Sequence, residues 1–169
     1  MNPKQFTQFV IYPVLQNLGM WSPAASHLVL GTALVESNLH DIDQIIGSDD
    51  GELGPALGIY QIEPQTHWDL YHNFLDLLTG DEERDFKRQA LKGSLLRMLA
   101  LSPPPEVQLV TNLWYATAIC RLIYYRRPEP LPPDSPAELA RYYKLWFNTA
   151  EGKSSINKAI PHFERACAL

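Results

Sequence analysis

Glu36 is the carboxylate that the sequence sets most clearly against an apolar background, because it follows Ala33-Leu34-Val35 at the end of an apolar run. Burial disfavours its anion, the negative end of a helix dipole disfavours it again, and no lysine or arginine stands within a turn to compensate. Its pKa is expected to rise. A carboxylic acid still protonated near neutrality is what the protonation of a leaving oxygen requires. The same residue in the same place also fits a second role, a buried acid satisfied by backbone groups or tyrosine hydroxyls, and helix context alone leaves both open.

Other chemistry-bearing residues form no recognisable set. Asp41, Asp43, Asp49, Asp50 and Glu52 crowd one stretch, and a carboxylate among them facing Glu36 would give a second acid-base group beside it. Their spacing selects none of them, and they read as a solvated loop. An EF-hand is excluded, since Ile45 and Ile46 stand where that loop needs an oxygen ligand and a glycine. His27, His40, His67, His72 and His162 include no His-Glu-x-x-His pair, so no metal site and no cofactor are expected. Cys120 and Cys167 lack Cys-x-x-Cys spacing and are expected to be free, buried thiols. No Gly-x-x-x-x-Gly-Lys and no Gly-x-Ser-x-Gly occurs.

The elements that must position Glu36 are helices. Asn2-Pro3 is a helix start, with Phe6, Phe9, Val10, Pro13, Val14 and Leu18 on an apolar face that Pro13 should bend or divide. Ser22-Pro23 repeats the start, and the run to Val35 is apolar on nearly every side, as a central helix would be. Residues 39–58, with Gly47, Gly51, Gly54 and Pro55, predict a loop or at most a short hairpin. Pro64 opens another helix, Gly80 closes it, and Asp81-Glu82-Glu83 starts an amphipathic one reaching about Leu99. Val107 to Tyr125 is apolar without Gly or Pro, which predicts a second central helix packed on the first. A proline-rich link leads to a helix over Ala137 to Phe147, and Ser154 or Ser155 caps the last, which runs to about Ala168. The predicted fold is mainly α, in one domain spanning 1–169.

Composition agrees with a folded chain: 46% hydrophobic and 20% charged residues over 169 positions are enough for one sizeable core. No apolar stretch is long enough for a membrane span, and the first residues carry no signal-peptide pattern. A net charge of −5 argues against nucleic acid as a partner. Arg121, Arg126 and Arg127, beside Tyr124 and Tyr125, form either a local basic patch or the C-terminus of a helix, where arginines suit the dipole.

Glu36-Ser37 at a helix end, a Gly-rich loop, and then Gly58-Ile59-Tyr60-Gln61-Ile62 together resemble the lysozyme-like lytic transglycosylases of the soluble lytic transglycosylase and goose-type lysozyme superfamily. The pattern there is Glu-Ser followed by Gly-Leu-Met-Gln-Ile. Asn112-Leu113-Trp114-Tyr115-Ala116 is similar to that family's third element, Asn-Ile with a small residue three positions later. Tyr142-Tyr143-Lys144-Leu145-Trp146-Phe147-Asn148-Thr149, followed by Glu151-Gly152-Lys153, resembles the Trp-Lys-x-Tyr-Tyr-Asn-Thr ending of phage-encoded members. The likeness spans residues 22–150. Tyr60 replaces an aliphatic residue, Ala116 stands where glycine is common, and the Ala-Tyr-Asn-Ala-Gly element has no clean copy.

The resemblance implies a single lysozyme-like helical domain with the Gly/Asp-rich loop or hairpin beside an active-site cleft. It implies that Glu36 protonates the oxygen between N-acetylmuramic acid and N-acetylglucosamine, then withdraws the sugar's 6-hydroxyl proton to close a 1,6-anhydro ring. The substrate's own acetamido group assists, so no second carboxylate is needed. Gln61 would bind the sugar or orient the acid. Ser37 would hold Glu36, contact the acetamido group, or cap a carbonyl. Tyr60 would line the cleft or pack on the core, Tyr143 would face Glu36, and Asn148 would bind substrate or end its helix. The implied partners are peptidoglycan glycan strands and other virion proteins. The implied setting is a phage particle, or the host cytoplasm after synthesis, with action on the periplasmic wall. A catalytically weak or inactive structural component of a phage particle that keeps the fold is the alternative.

Overall fold

The computed structural model describes residues 1–46, 52–148 and 155–169. The fold is mainly helical, and its helices begin where short-range capping can start them. Asn2 accepts a hydrogen bond from the Gln5 N–H at 3.1 Å and opens α1 (Pro3–Phe6). Ser22 does the same for α3 (Pro23–Glu36) through the Ala25 N–H, also at 3.1 Å. Asp81, Ser135 and Ser155 cap α5 (Glu82–Met98), α8 (Pro136–Trp146) and α9 (Ile156–Cys167) in the same way. Each cap satisfies an amide that the first helical turn leaves without a partner.

Pro13 divides the first helix as its chemistry demands. A π-helical turn over Thr7–Ile11 separates α1 from α2 (Tyr12–Asn17), with the Tyr12 N–H reaching back to the Thr7 carbonyl. The extra residue in that turn advances the phase, so Ile11 and Leu15 point inward and Phe9 is 62% exposed. The expected apolar face is corrected accordingly: Phe6, Val14 and Leu18 keep their inward places and Phe9 loses its own. A second π-helical turn, Tyr71–Leu75, continues α4 (Pro64–Leu70).

The predicted helix from Val107 to Tyr125 is broken at Asn112, whose backbone is extended. It consists of α6 (Gln108–Thr111) and α7 (Leu113–Tyr125). The Asn112 side chain accepts from the Tyr115 N–H and donates to the Met98 carbonyl at 2.7 Å, so it starts α7 and ties it to the end of α5. Asparagine does both because it carries an acceptor and a donor on one short side chain.

Helix α3 is buried on nearly every side and packs against α7, α8 and α9. A buried hydrogen bond of 2.7 Å joins Thr32 of α3 to the Tyr124 hydroxyl of α7. Gly31 lets α9 close on α3, since a Cβ there would lie 2.2 Å from the Phe163 ring. One hydrophobic cluster runs through these helices from Phe6 to Ala166. Between α3 and α4, β1 (Asp43–Ile46) and β2 (Glu52–Leu57) pair antiparallel as a short hairpin.

Among the described residues no helix is long and apolar enough to cross a membrane. The arginines after α7 are tied locally. Arg121 is buried, Arg126 pairs with Asp69, and the Arg127 guanidinium lies 5.0 Å from the Trp146 ring centre. They belong to a helix end and its packing rather than to an open basic patch. Cys120 is buried and free, whereas Cys167, also free, is only half-buried, because it is the last residue of α9.

Candidate active site

Glu36 is the last residue of α3, and the chain reverses immediately after it. Asn38 and Leu39 take left-handed backbone angles, φ 51° and 57°, and Gln61 takes a third at 48°. Among the described residues these are all the non-glycine residues with positive φ. Such conformations cost free energy in residues with a Cβ, most of all in a branched one such as Leu39, and persist only where packing enforces them. The three flank one place, the turn that follows Glu36 and the turn pinned to it.

Ser37 provides the pin. Its buried hydroxyl lies 3.2 Å from the Ala33 carbonyl oxygen and 2.8 Å from that of Ile59, and it accepts from the Leu39 N–H at 3.2 Å. With one proton for two carbonyls and an amide filling its acceptor side, this hydroxyl caps the helix and anchors the Ile59 turn. Among the roles expected for it, the capping one accounts for every hydrogen bond it makes. Gly58 and Ile62 shape that turn further. Leu57 and Ile62 exchange two backbone hydrogen bonds, and Gly58 has φ 72° with the Leu109 carbonyl oxygen 2.0 Å from where a Cβ would stand. Only glycine fits both the angle and the space.

Tyr143 is 107 residues away in sequence and donates its hydroxyl to the Glu36 Oε1 at 2.7 Å. Asn148, just past the end of α8, hydrogen-bonds the same carboxyl. Lys144 in turn holds the Asn148 side-chain oxygen at 2.9 Å, which leaves the amide NH2 as the group free to donate to Glu36. Burial raises the Glu36 pKa to about 7, and the hydrogen bonds from Tyr143 and Asn148 pull it down and keep it from going higher. The carboxyl therefore exists in both protonation states near neutrality, which suits a group that first gives a proton and then takes one. The residue as a whole is only partly buried.

The other expected site residues fall out differently. Tyr60 is 0% exposed, with its hydroxyl 2.9 Å from Thr117 Oγ1 and its ring beside Phe6. It is a core residue and lines no cleft: the ring fills the space between the turn and α7, and Thr117 supplies the partner that a buried phenol needs. Gln61 is half-buried and donates to the Gly58 carbonyl at 2.8 Å, closing its own turn. Its amide oxygen remains as an acceptor at the mouth of that turn. Asp41 accompanies the exposed His40, while Asp49, Asp50 and the side chains of Asp43 and Glu52 lie outside the described residues, as do Thr149 and Glu151-Gly152-Lys153.

Sequence reasoning named Tyr143 and Asn148 but missed Lys144, the residue that orients Asn148. The signal was available in the four-residue spacing, which lets a lysine in the last turn of a helix reach the residue just beyond its end. A second polar cluster was missed altogether. His67 Nε2 lies 2.6 Å from the Tyr115 hydroxyl, which also meets Tyr71, and burial lowers the His67 pKa to about 4. That imidazole is neutral at physiological pH and serves packing between α4 and α7.

The site thus defines a class of arrangement, a half-buried carboxylic acid held by a phenol and an amide at a helix end. No family model, curated protein or solved structure matches the chain.

Proposed function

We propose that the protein cleaves the β-1,4 bond between N-acetylmuramic acid and N-acetylglucosamine in peptidoglycan, as a lytic transglycosylase or a lysozyme-type hydrolase. Glu36 is the catalytic acid. The observation that carries the reading is geometric: a carboxyl that ends the buried central helix accepts the Tyr143 hydroxyl at 2.7 Å, in surroundings whose burial pushes its pKa up toward neutrality. In its protonated form Glu36 gives its proton to the glycosidic oxygen, and the C–O bond breaks with charge developing at the ring carbon. In its anionic form, which Tyr143 and Asn148 stabilise, it takes the proton of the sugar's 6-hydroxyl as that oxygen bonds to the same carbon. A water taking the place of the 6-hydroxyl gives the reducing-end product instead.

Three left-handed residues in two turns that Ser37 joins just after Glu36 support a functional rather than a purely structural role for this corner. Gln61, with a free amide oxygen, is the remaining candidate for a sugar contact on the hairpin side. The protein's setting is a phage particle. The alternative role, an inactive structural part of such a particle, is favoured by Tyr60 and Ser37, since neither presents a group to a substrate.

Mass spectrometry of purified peptidoglycan incubated with the protein tests the proposal. Anhydro-muropeptides identify a transglycosylase and reducing muropeptides a hydrolase. Unchanged glycan over a pH range spanning 5 to 8, about two units below and one above the acid's midpoint, would leave the structural role.

A further inference from the structure

Three residues from separate parts of the chain meet away from Glu36. His27 lies in the second turn of α3, Asp134 in the proline-rich link before α8, and Cys167 at the end of α9. Each offers a ligand atom, and all three atoms lie within 4.8 Å of one another. His27 Nδ1 and Asp134 Oδ1 are 2.8 Å apart. We propose that this cluster is a binding site for a zinc-like divalent transition metal, with His27, Asp134 and Cys167 as three protein ligands and water in a fourth position.

The donor set points to the class of ion. Imidazole nitrogen, carboxylate oxygen and thiolate sulfur together suit zinc or cobalt(II), whereas magnesium and calcium are served by oxygen alone. Geometry agrees. Bond lengths of about 2.0 Å to N and O and about 2.3 Å to S put tetrahedral ligand atoms roughly 3.2 to 3.7 Å apart. The His27–Asp134 pair must open by a few tenths of an ångström, and the sulfur must come in by at most about 1.5 Å. Side-chain rotation supplies both, since Asp134 sits on a surface link and the last residue of a helix is free to adjust.

Access and charge agree as well. The His27 side chain is 21% exposed and that of Asp134 36%, so an ion can enter and keep a water. Burial and the neighbouring Asp134 carboxylate raise the Cys167 pKa, which makes the metal-free thiol a poor anion. A divalent cation between the two reverses that repulsion, and the thiol proton passes to solvent as the S–metal bond forms. The bound ion would staple α3, which carries Glu36, to α9 and to the link that leads into α8, the helix of Tyr143. This inference is independent of glycan cleavage.

Cobalt(II) titration of the metal-free full chain tests it. The expected result is one equivalent bound, with a thiolate-to-cobalt charge-transfer band and the visible bands of a tetrahedral ion, both removed when zinc is added. Cys167→Ser should abolish the charge-transfer band, and Asp134→Asn, at a surface position that should leave the fold intact by circular dichroism, should weaken binding at least about 100-fold. Zinc should raise the melting temperature of the wild type and leave that of Cys167→Ser unchanged. No charge-transfer band in the wild type, or a band that survives in Cys167→Ser, would overturn the site.

Discussion

Replacing Glu36 by glutamine turns the raised pKa of this carboxyl into a measurable stability difference. In the unfolded chain the carboxyl titrates near its model value of 4.5, and in the folded protein near 7. Between those values the folded state binds more protons than the unfolded one, so stability must fall as pH rises. The contribution is fully present below pH 4.5, is lost progressively up to about pH 7, and is constant above. A difference of about 2.5 pKa units corresponds to about 3 kcal/mol. Because the group is partly open to water, about 2 kcal/mol is a realistic expectation.

Glutamine has nearly the same shape and no titration in this range. Its own hydrogen bonds to Tyr143 and Asn148 differ from those of a carboxylate, but that difference is the same at every pH. The informative quantity is therefore the change with pH in the stability gap between Glu36→Gln and wild type. Urea unfolding followed by tryptophan fluorescence at intervals from pH 4 to pH 8.5 (roughly the interval over which the linkage acts) supplies it. The variant should gain about 2 to 3 kcal/mol on the wild type across that range. A gap constant to within about half a kcal/mol would show an ordinary carboxylate at position 36, and the proposed acid would lose its physical basis whatever the enzymatic assay showed.

Tyr143→Phe removes a donor to the Glu36 anion, and a charge-assisted hydrogen bond of about 1.5 to 3 kcal/mol corresponds to an upward pKa shift of roughly one to two units. The basic limb of the pH-rate profile for glycan cleavage should move up accordingly. Gly58→Ala places a Cβ 2.0 Å from the Leu109 carbonyl oxygen at a φ of 72°, so a loss of about 3 kcal/mol or more is expected by chemical denaturation. Leu34→Ala should cost about 2 to 5 kcal/mol, since Leu34 is 0% exposed in the central helix, and a cost below half a kcal/mol would mean that the space is filled by something else.

Helix starts are legible in the sequence because a cap spans only three residues. Asn2-Pro3, Ser22-Pro23 and Ser155 carry the side-chain acceptor and, in the first two, the fixed φ that a first turn needs, with no reference to the rest of the chain. The setting of Glu36 was legible for a similar reason: an acid that closes an all-round apolar helix must sit beside a core. The π-helical turn behind Phe9 was not, because proline announces that a helix is disturbed but not which residue the disturbance pushes outward. Tyr60 and Ser37 show the same limit. Each stands in a turn whose composition suits an open cleft, and each is claimed by a buried partner, Thr117 or the Ile59 carbonyl, that local sequence does not reveal.

What only tertiary structure decided is which distant residues meet. The contact of Tyr143 with Glu36 spans 107 residues, and so does that of Asp134 with His27. Periodicity reports which face of a helix is apolar, and capping reports where it begins. Neither reports how two helices cross, and the crossing of α3, α8 and α9 gathers one set of side chains around the acid and another around a thiol.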